Sequence, residues 1–358
     1  MEPETIQNEK EISLESLSVR IQELEDSLVG LNPRNFAGIR SSDLQRATVA
    51  NLFGDGSDGD VEITGTTTLT RDMYYKNLSI ANGGILNPNG YRIFVKETLI
   101  IKSGGYIKRN GNNGGNGSVP NGGSGGAALA AGSLPAAESG KSGGNGGSAE
   151  VSNDGQPGVD GGNVVKSLGS AGSGGGGGGA SYYSGGAGGN GGSQTGTVLN
   201  VPKNYISAFL LIDAIPSVVS LLGSAGSGGG GGGGSRASSN GGGGGGSGSA
   251  GGFIAIFAQR IINDQEEGIQ GKGGKGGNGG NGATDGTNGA GGGGGGAGGA
   301  GGVILIVYGE MTGGGTIVTT GGAKGDKGLK GAGAYGQDGV DGTAGLDGNV
   351  FLIQLKAG

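Results

Sequence analysis

Apolar residues recur at two different periods along the first third of the chain. Leu14, Leu17, Ile21, Leu24, Leu28 and Leu31 step by alternating threes and fours, the a/d spacing that lines one stripe of a helix. Ser13 is placed to cap such a helix and Asn32-Pro33 to stop it. A lone helix of this length is marginal in water, so the stripe predicts self-association or docking into a larger assembly. The plainer alternative is an amphipathic helix packed on its own domain. From Asn51 the pattern shortens. "DVEITGTTTLTRDMYYKNLSI" and "YRIFVKETLIIKSGGYIK" are rich in Thr, Val, Ile and Tyr and read as strands joined by Gly/Asn/Pro turns, "NPNG" among them.

Beyond residue 110 glycine dominates, and apolar runs return at intervals. "GGFIAIFA" at Gly251 recurs as "GGVILIVY" at Gly301 and more loosely as "GNVFLIQL" at Gly348. "GSAGSGGGGGG" occurs at Gly169–Gly179 and again at Gly223–Gly233. The unit is strand, turn, short strand, glycine tract, loop, glycine tract, next strand. Such periods mark stacked architectures whose repeats bury one another. Glycine supplies 99 of 358 residues, a composition that otherwise suggests collagen or a flexible linker. The triplet phase and the proline content do not fit collagen, and linkers are not interrupted by runs that want burial. Polyglycine-II helices, three residues per turn, are the expected form of the tracts. Without Cβ atoms they pack at backbone distance and hydrogen-bond to one another. The spacing in "GKGGKGGNGGNG" suits them, because every third side chain falls on one face. The expected fold is therefore mostly β: an N-terminal coiled-coil-like helix (1–40), a β-strand module (41–110), and repeated strand pairs interleaved with polyglycine-II helices in a stacked sandwich (111–358).

Composition removes several chemistries. Histidine and cysteine are absent, which excludes disulfides, His/Cys zinc sites and His-dependent nucleophilic triads. A net charge of −6 argues against nucleic acid as a partner. The acidic, polar start is no secretory signal, and the most apolar stretch, Val198–Leu222, carries Pro202, Lys203, Asp213 and Pro216, so no membrane insertion is expected. The stretch "GDGSDGD" reads first as a solvated turn; calcium held by Asp55, Asp58 and Asp60 is the alternative, with a spacing that is not that of an EF-hand loop. Asp264, Glu266 and Glu267 are the acids one would consider for polysaccharide cleavage, but they too read as a turn. No enzyme, metal or cofactor is expected. The segments joining the tracts differ from one another, and dissimilar loops on a rigid scaffold suit recognition. Among them "ASYYS" places Tyr182 and Tyr183 side by side, residues enriched at binding surfaces, with packing across the sandwich edge as the alternative role.

The glycine blocks Gly111–Gly126, Gly169–Gly192, Gly223–Gly252, Gly271–Gly302 and Gly321–Gly348, alternating with dissimilar loops, resemble the distal tail-fibre adhesins of T-even-like bacteriophages. "LFGDGSDGDVEITGTTTLTRDMYYKNLSI" separately resembles a strand-rich module of phage and prophage virion proteins. The resemblance implies a polyglycine-II sandwich that displays receptor-binding loops, a virion location after synthesis in the host cytoplasm, and a homo-oligomer, expected as a trimer. Its partners would be other virion proteins through the N-terminus and a host surface protein or polysaccharide through the loops. A non-adhesive head-fibre, decoration or tail structural protein is the alternative.

Overall fold

A computed structural model of the chain describes residues 52–148, 156–163, 187–192, 230, 239–333 and 335–355. These belong to one compact unit that begins at Leu52. The expected helix over Leu14–Leu31 lies outside the described residues, as do Tyr182 and Tyr183.

The described part is mostly β, and its strands form two parallel sheets. The first holds β1 (Asp60–Ile63), β3 (Met73–Tyr75), β4 (Asn77–Ile80), β6 (Ile93–Ile101), β8 (Phe253–Asn263), β10 (Val303–Thr312) and β12 (Asn349–Gln354). The second holds β2 (Thr66–Thr68), β5 (Ile85–Asn87), β7 (Tyr106–Lys108), β9 (Ile269–Gln270) and β11 (Ile317–Val318). The chain alternates between them, so each coil adds one layer to both stacks. The turns that join the strands therefore pass the chain between sheets. "NPNG" takes the chain from β5 in one sheet to β6 in the other, and strands adjacent in sequence do not pair.

Parallel stacking puts like residues above like. Ile63, Ile80 and Ile101 form one column between the sheets; Ile93, Ile256 and Ile306 form a second; Ile107, Ile269 and Ile317 line the opposite wall. All but Ile317 are buried. β-Branched side chains stacked at the strand spacing fill such a core without voids. The outer face of the first sheet carries a second cluster, with Ala255, Phe257, Leu305 and Val307 buried. Tyr74, Phe94 and Phe257 stack there face to face, ring centroids 4.8 and 4.9 Å apart, close to the separation of neighbouring strands. Two covered faces explain why "FIAIFA" and "VILIVY" are apolar throughout rather than alternating.

The glycine tracts continue these sheets. Residues 109–118, 271–283 and 319–331 leave the second sheet, and 240–252, 289–302 and 336–348 lead back into the first. Their hydrogen bonds repeat every third residue. Within residues 241–252 each backbone N–H donates to another tract, at 2.8–3.2 Å. Gly242, Gly245, Gly248 and Gly251 donate to residues 291–300; Gly243, Gly246, Ser249 and Gly252 to residues 109–118; Gly241, Gly244, Ser247 and Ala250 to residues 138–147. One buried tract thus bonds three neighbours in three directions. Tracts of successive coils within a layer run parallel, and tracts of facing layers run antiparallel. The expected boundary at residues 110–111 falls inside this continuum: β6 pairs with β8 and β7 with β9 across it.

Where a tract lies at the surface, side chains take over the bonding. Lys272, Lys275 and Asn278 donate their backbone N–H to the Oδ1 atoms of Asn110, Asn113 and Asn116, at 2.8, 2.9 and 2.9 Å. Asp326 and Leu329 donate likewise to Asn278 and Asn281. The asparagines that recur at every third position thus hold neighbouring tracts in register.

A Cβ inside the stack has nowhere to go. At Gly246 it would collide with the carbonyl oxygen of Ser124, whereas at Gly314 nothing lies within 4 Å. Gly246→Val should therefore cost about 3 kcal/mol or more and lower the melting temperature by roughly 6–12 °C. Gly314→Ala should leave it unchanged. Thermal unfolding of the two variants side by side checks this, and equal melting temperatures would contradict it.

Candidate functional site

The described turns at the far ends of the tracts are the parts of the stack held rigidly yet exposed. Ser118–Asn121 closes one pair of tracts through a 2.8 Å bond from Ser118 N to Asn121 O. Thr284–Asn288 closes the next. There Asp285 Oδ1 accepts from Thr287 N (2.8 Å) and Asn288 N (2.7 Å), and Gly286 takes a φ of 93°. These bonds from Asn288 and Thr287 hold the Asp285 carboxyl below its ordinary pKa, so it stays ionised and keeps the turn formed. The Thr284 hydroxyl donates to the carbonyl of Ala332, tying this turn to the one in the following coil. Thr284, Asp285 and Thr287 are exposed. Small polar groups on fixed backbone are what such an edge offers a partner.

A longer segment, residues 127–137, is fastened differently. Arg109 is 3 % exposed. Its guanidinium donates to the carbonyls of Ala130 (2.5 Å), Phe253 (2.9 Å) and Pro135 (3.5 Å). Burial lowers its pKa to about 10, which leaves it charged at neutral pH. Leu134 from the same segment is buried against the outer face of the first sheet. Sequence reading passed over Arg109, because a lone arginine before a glycine tract carries no local signal of burial. The asparagine ladder did carry one, the three-residue spacing of Asn110, Asn113 and Asn116.

The aspartates of "GDGSDGD" have other roles than a shared cation. Asp58 is bound by Arg71 Nη2 at 2.5 Å and accepts from Tyr74 N at 2.6 Å. The hydrogen bond from Arg71 holds its pKa down. Asp55 accepts from Ser57 N at 2.9 Å, and Asp60 from Asn77 Nδ2 at 2.8 Å. Among the described residues no group of three or more acidic side chains is arranged to hold a metal ion. The arrangement is that of a turn locked onto the next coil. Asp264, Glu266 and Glu267 lie in the turn between β8 and β9, where Glu267 pairs with Lys272 Nζ at 2.5 Å. No helix among the described residues is long and apolar enough to cross a membrane.

No known protein family, curated protein or solved structure matches the chain.

Arg109→Met keeps a long stem in place but removes the donors to Ala130, Phe253 and Pro135. Leaving buried carbonyls without partners costs about 1–3 kcal/mol. Limited proteolysis should then cut the variant within residues 127–137 at least ten times faster than the parent chain. Equal cutting rates would show that Arg109 does not fasten this segment.

Proposed function

We propose that the chain is a bacteriophage virion structural protein of the fibre/adhesin type. In this reading the tracts are polyglycine-II helices stacked as a sandwich, and turns between them bind a receptor on the host-cell surface. The observation that carries it is the three-way hydrogen bonding of residues 241–252. A three-residue repeat that bonds neighbours in three directions is the packing that polyglycine-II helices require. Such a bundle is stiff and carries its most dissimilar segments where the chain reverses. That suits a protein which must hold a small recognition edge far from its anchor. The resemblance to tail-fibre adhesins supports the same role, with the Leu14–Leu31 helix serving oligomerisation, expected as a trimer, or attachment to the virion.

Within this proposal the turn at Thr284–Asn288 and the pair Tyr182 and Tyr183 are the recognition elements to test first. Purified protein should adsorb to susceptible cells and block infection. Tyr182→Ala with Tyr183→Ala, or Thr284→Ala with Thr287→Ala, should weaken adsorption tenfold or more in at least one pair, with the melting temperature nearly unchanged. If the unaltered protein incorporates into particles yet neither adsorbs nor blocks infection, it is a head-fibre, decoration or tail structural protein instead.

A further inference from the structure

Asparagine followed by glycine is the least durable pair in a polypeptide. The glycine nitrogen, unhindered by a Cβ of its own residue, attacks the asparagine Cγ and gives its proton to solvent base. The Cγ–Nδ2 bond breaks and ammonia leaves. Water then opens the resulting succinimide at one carbonyl or the other, leaving aspartate or isoaspartate. The chain carries twelve Asn-Gly pairs, and all lie in the described residues. Five of them belong to the ladder asparagines Asn110, Asn113, Asn116, Asn278 and Asn281.

At each of these five pairs the ladder closes into a latch. Lys272 donates its N–H to Asn110 Oδ1, and its carbonyl accepts from Gly111 N at 2.7 Å. Lys275 is gripped the same way by Asn113 and Gly114, and Asn278 by Asn116 and Gly117. Asp326 is gripped by Asn278 and Gly279, and Leu329 by Asn281 and Gly282. Ring closure needs the glycine nitrogen to leave its acceptor and swing onto Cγ, while the asparagine oxygen is held on the next tract. Neither movement is open to the pair without separating two tracts. Four more pairs have the glycine half of this latch. Gly83 N donates to Gly104 O, Gly122 N to Asn145 Oδ1, Gly146 N to Pro120 O and Gly241 N to Gly147 O, at 2.6–3.0 Å. Three pairs lack it. Among the described residues the N–H groups of Gly90, Gly191 and Gly289 donate no hydrogen bond.

We propose that this latch decides where the folded chain deamidates. Asn89, Asn190 and Asn288 are its modification sites, and the asparagines of the other nine pairs react only when the tract or turn that holds them opens. For the ladder that event is final. Isoaspartate puts one more carbon into the backbone, so the three-residue phase is lost and the tract cannot regain both bonds to its neighbour. The ladder draws its acceptors from the residue pair most prone to decay, and the stack itself preserves them. At Asn288 the reaction acts on an exposed turn. Asn288 Nδ2 donates to Asp285 Oδ2 at 3.2 Å. Conversion to aspartate sets a second carboxylate in that place, and the two repel. Adsorption then declines as the protein ages, a consequence that rests on the reading of this turn as part of a receptor site.

Peptide mapping of the full chain tests the proposal. The protein is held at mildly alkaline pH, folded in one arm and in concentrated urea in the other. Each Asn-Gly pair is followed by mass and by isoaspartate content, and the urea arm gives its intrinsic rate. Relative to that rate, Asn89, Asn190 and Asn288 should convert at least tenfold faster in the folded chain than any of the nine latched pairs. Ladder asparagines that decay as fast folded as in urea, or latched and unlatched pairs that decay alike, overturn it. Adsorption of the aged protein and of Asn288→Asp is read separately. If the map comes out as expected and adsorption is undiminished, the deamidation sites stand and the receptor role of the turn falls.

Discussion

A backbone that turns once every three residues points its N–H groups in three directions, and each must find an acceptor within about 3 Å. In residues 241–252 each of the twelve donors does so on another tract. That requirement fixes the remainder of the architecture. It demands neighbours on several sides, at a distance where a single Cβ at Gly246 would strike a carbonyl. Glycine here is a packing residue in the same sense as isoleucine in the columns between the sheets. Its conformational entropy is offset by bonds to three neighbours rather than by apolar area.

The strands supply what the tracts cannot supply for themselves, a register. Neighbouring glycine tracts offer little to prevent a slip by three residues. The columns of Ile93, Ile256 and Ile306 on one wall, and of Ile107, Ile269 and Ile317 on the other, fix the height and phase at which each tract starts. Tract and strand are then one continuous element with two periods, two along the strand and three along the tract. Asparagines at the surface repeat the lock further out: Asn116 Oδ1 takes the N–H of Asn278, and Asn278 Oδ1 that of Asp326. Mechanical order at the distal turns therefore derives from apolar packing at the other end of each tract.

Much of this was legible in the sequence where the signal is local. The apolar runs at β6, β8, β10 and β12 mark strands, the short second strands follow them, and the runs of glycine mark what lies between. The parallel pairing was not legible, because "NPNG" and "KSGG" look alike whether they close a hairpin or pass the chain to a second sheet. One partner of β6 is β8, about 160 residues further on, and nothing near either strand says so. The aspartates of "GDGSDGD" were ambiguous for a related reason. Asp58 is held by Arg71, thirteen residues away, and short-range spacing cannot distinguish a bound cation from a folded-back guanidinium.

Native-state hydrogen exchange read on the peptide covering residues 239–252 tests the structural role of the glycine tracts most directly. If the tract is a bonded core element, its amides should exchange as slowly as those of β8 (Phe253–Asn263), opening only with global unfolding. Exchange of these glycine amides within seconds, at the rate of an unstructured chain and while β8 stays protected, would contradict the account and make the tract a tether between strands.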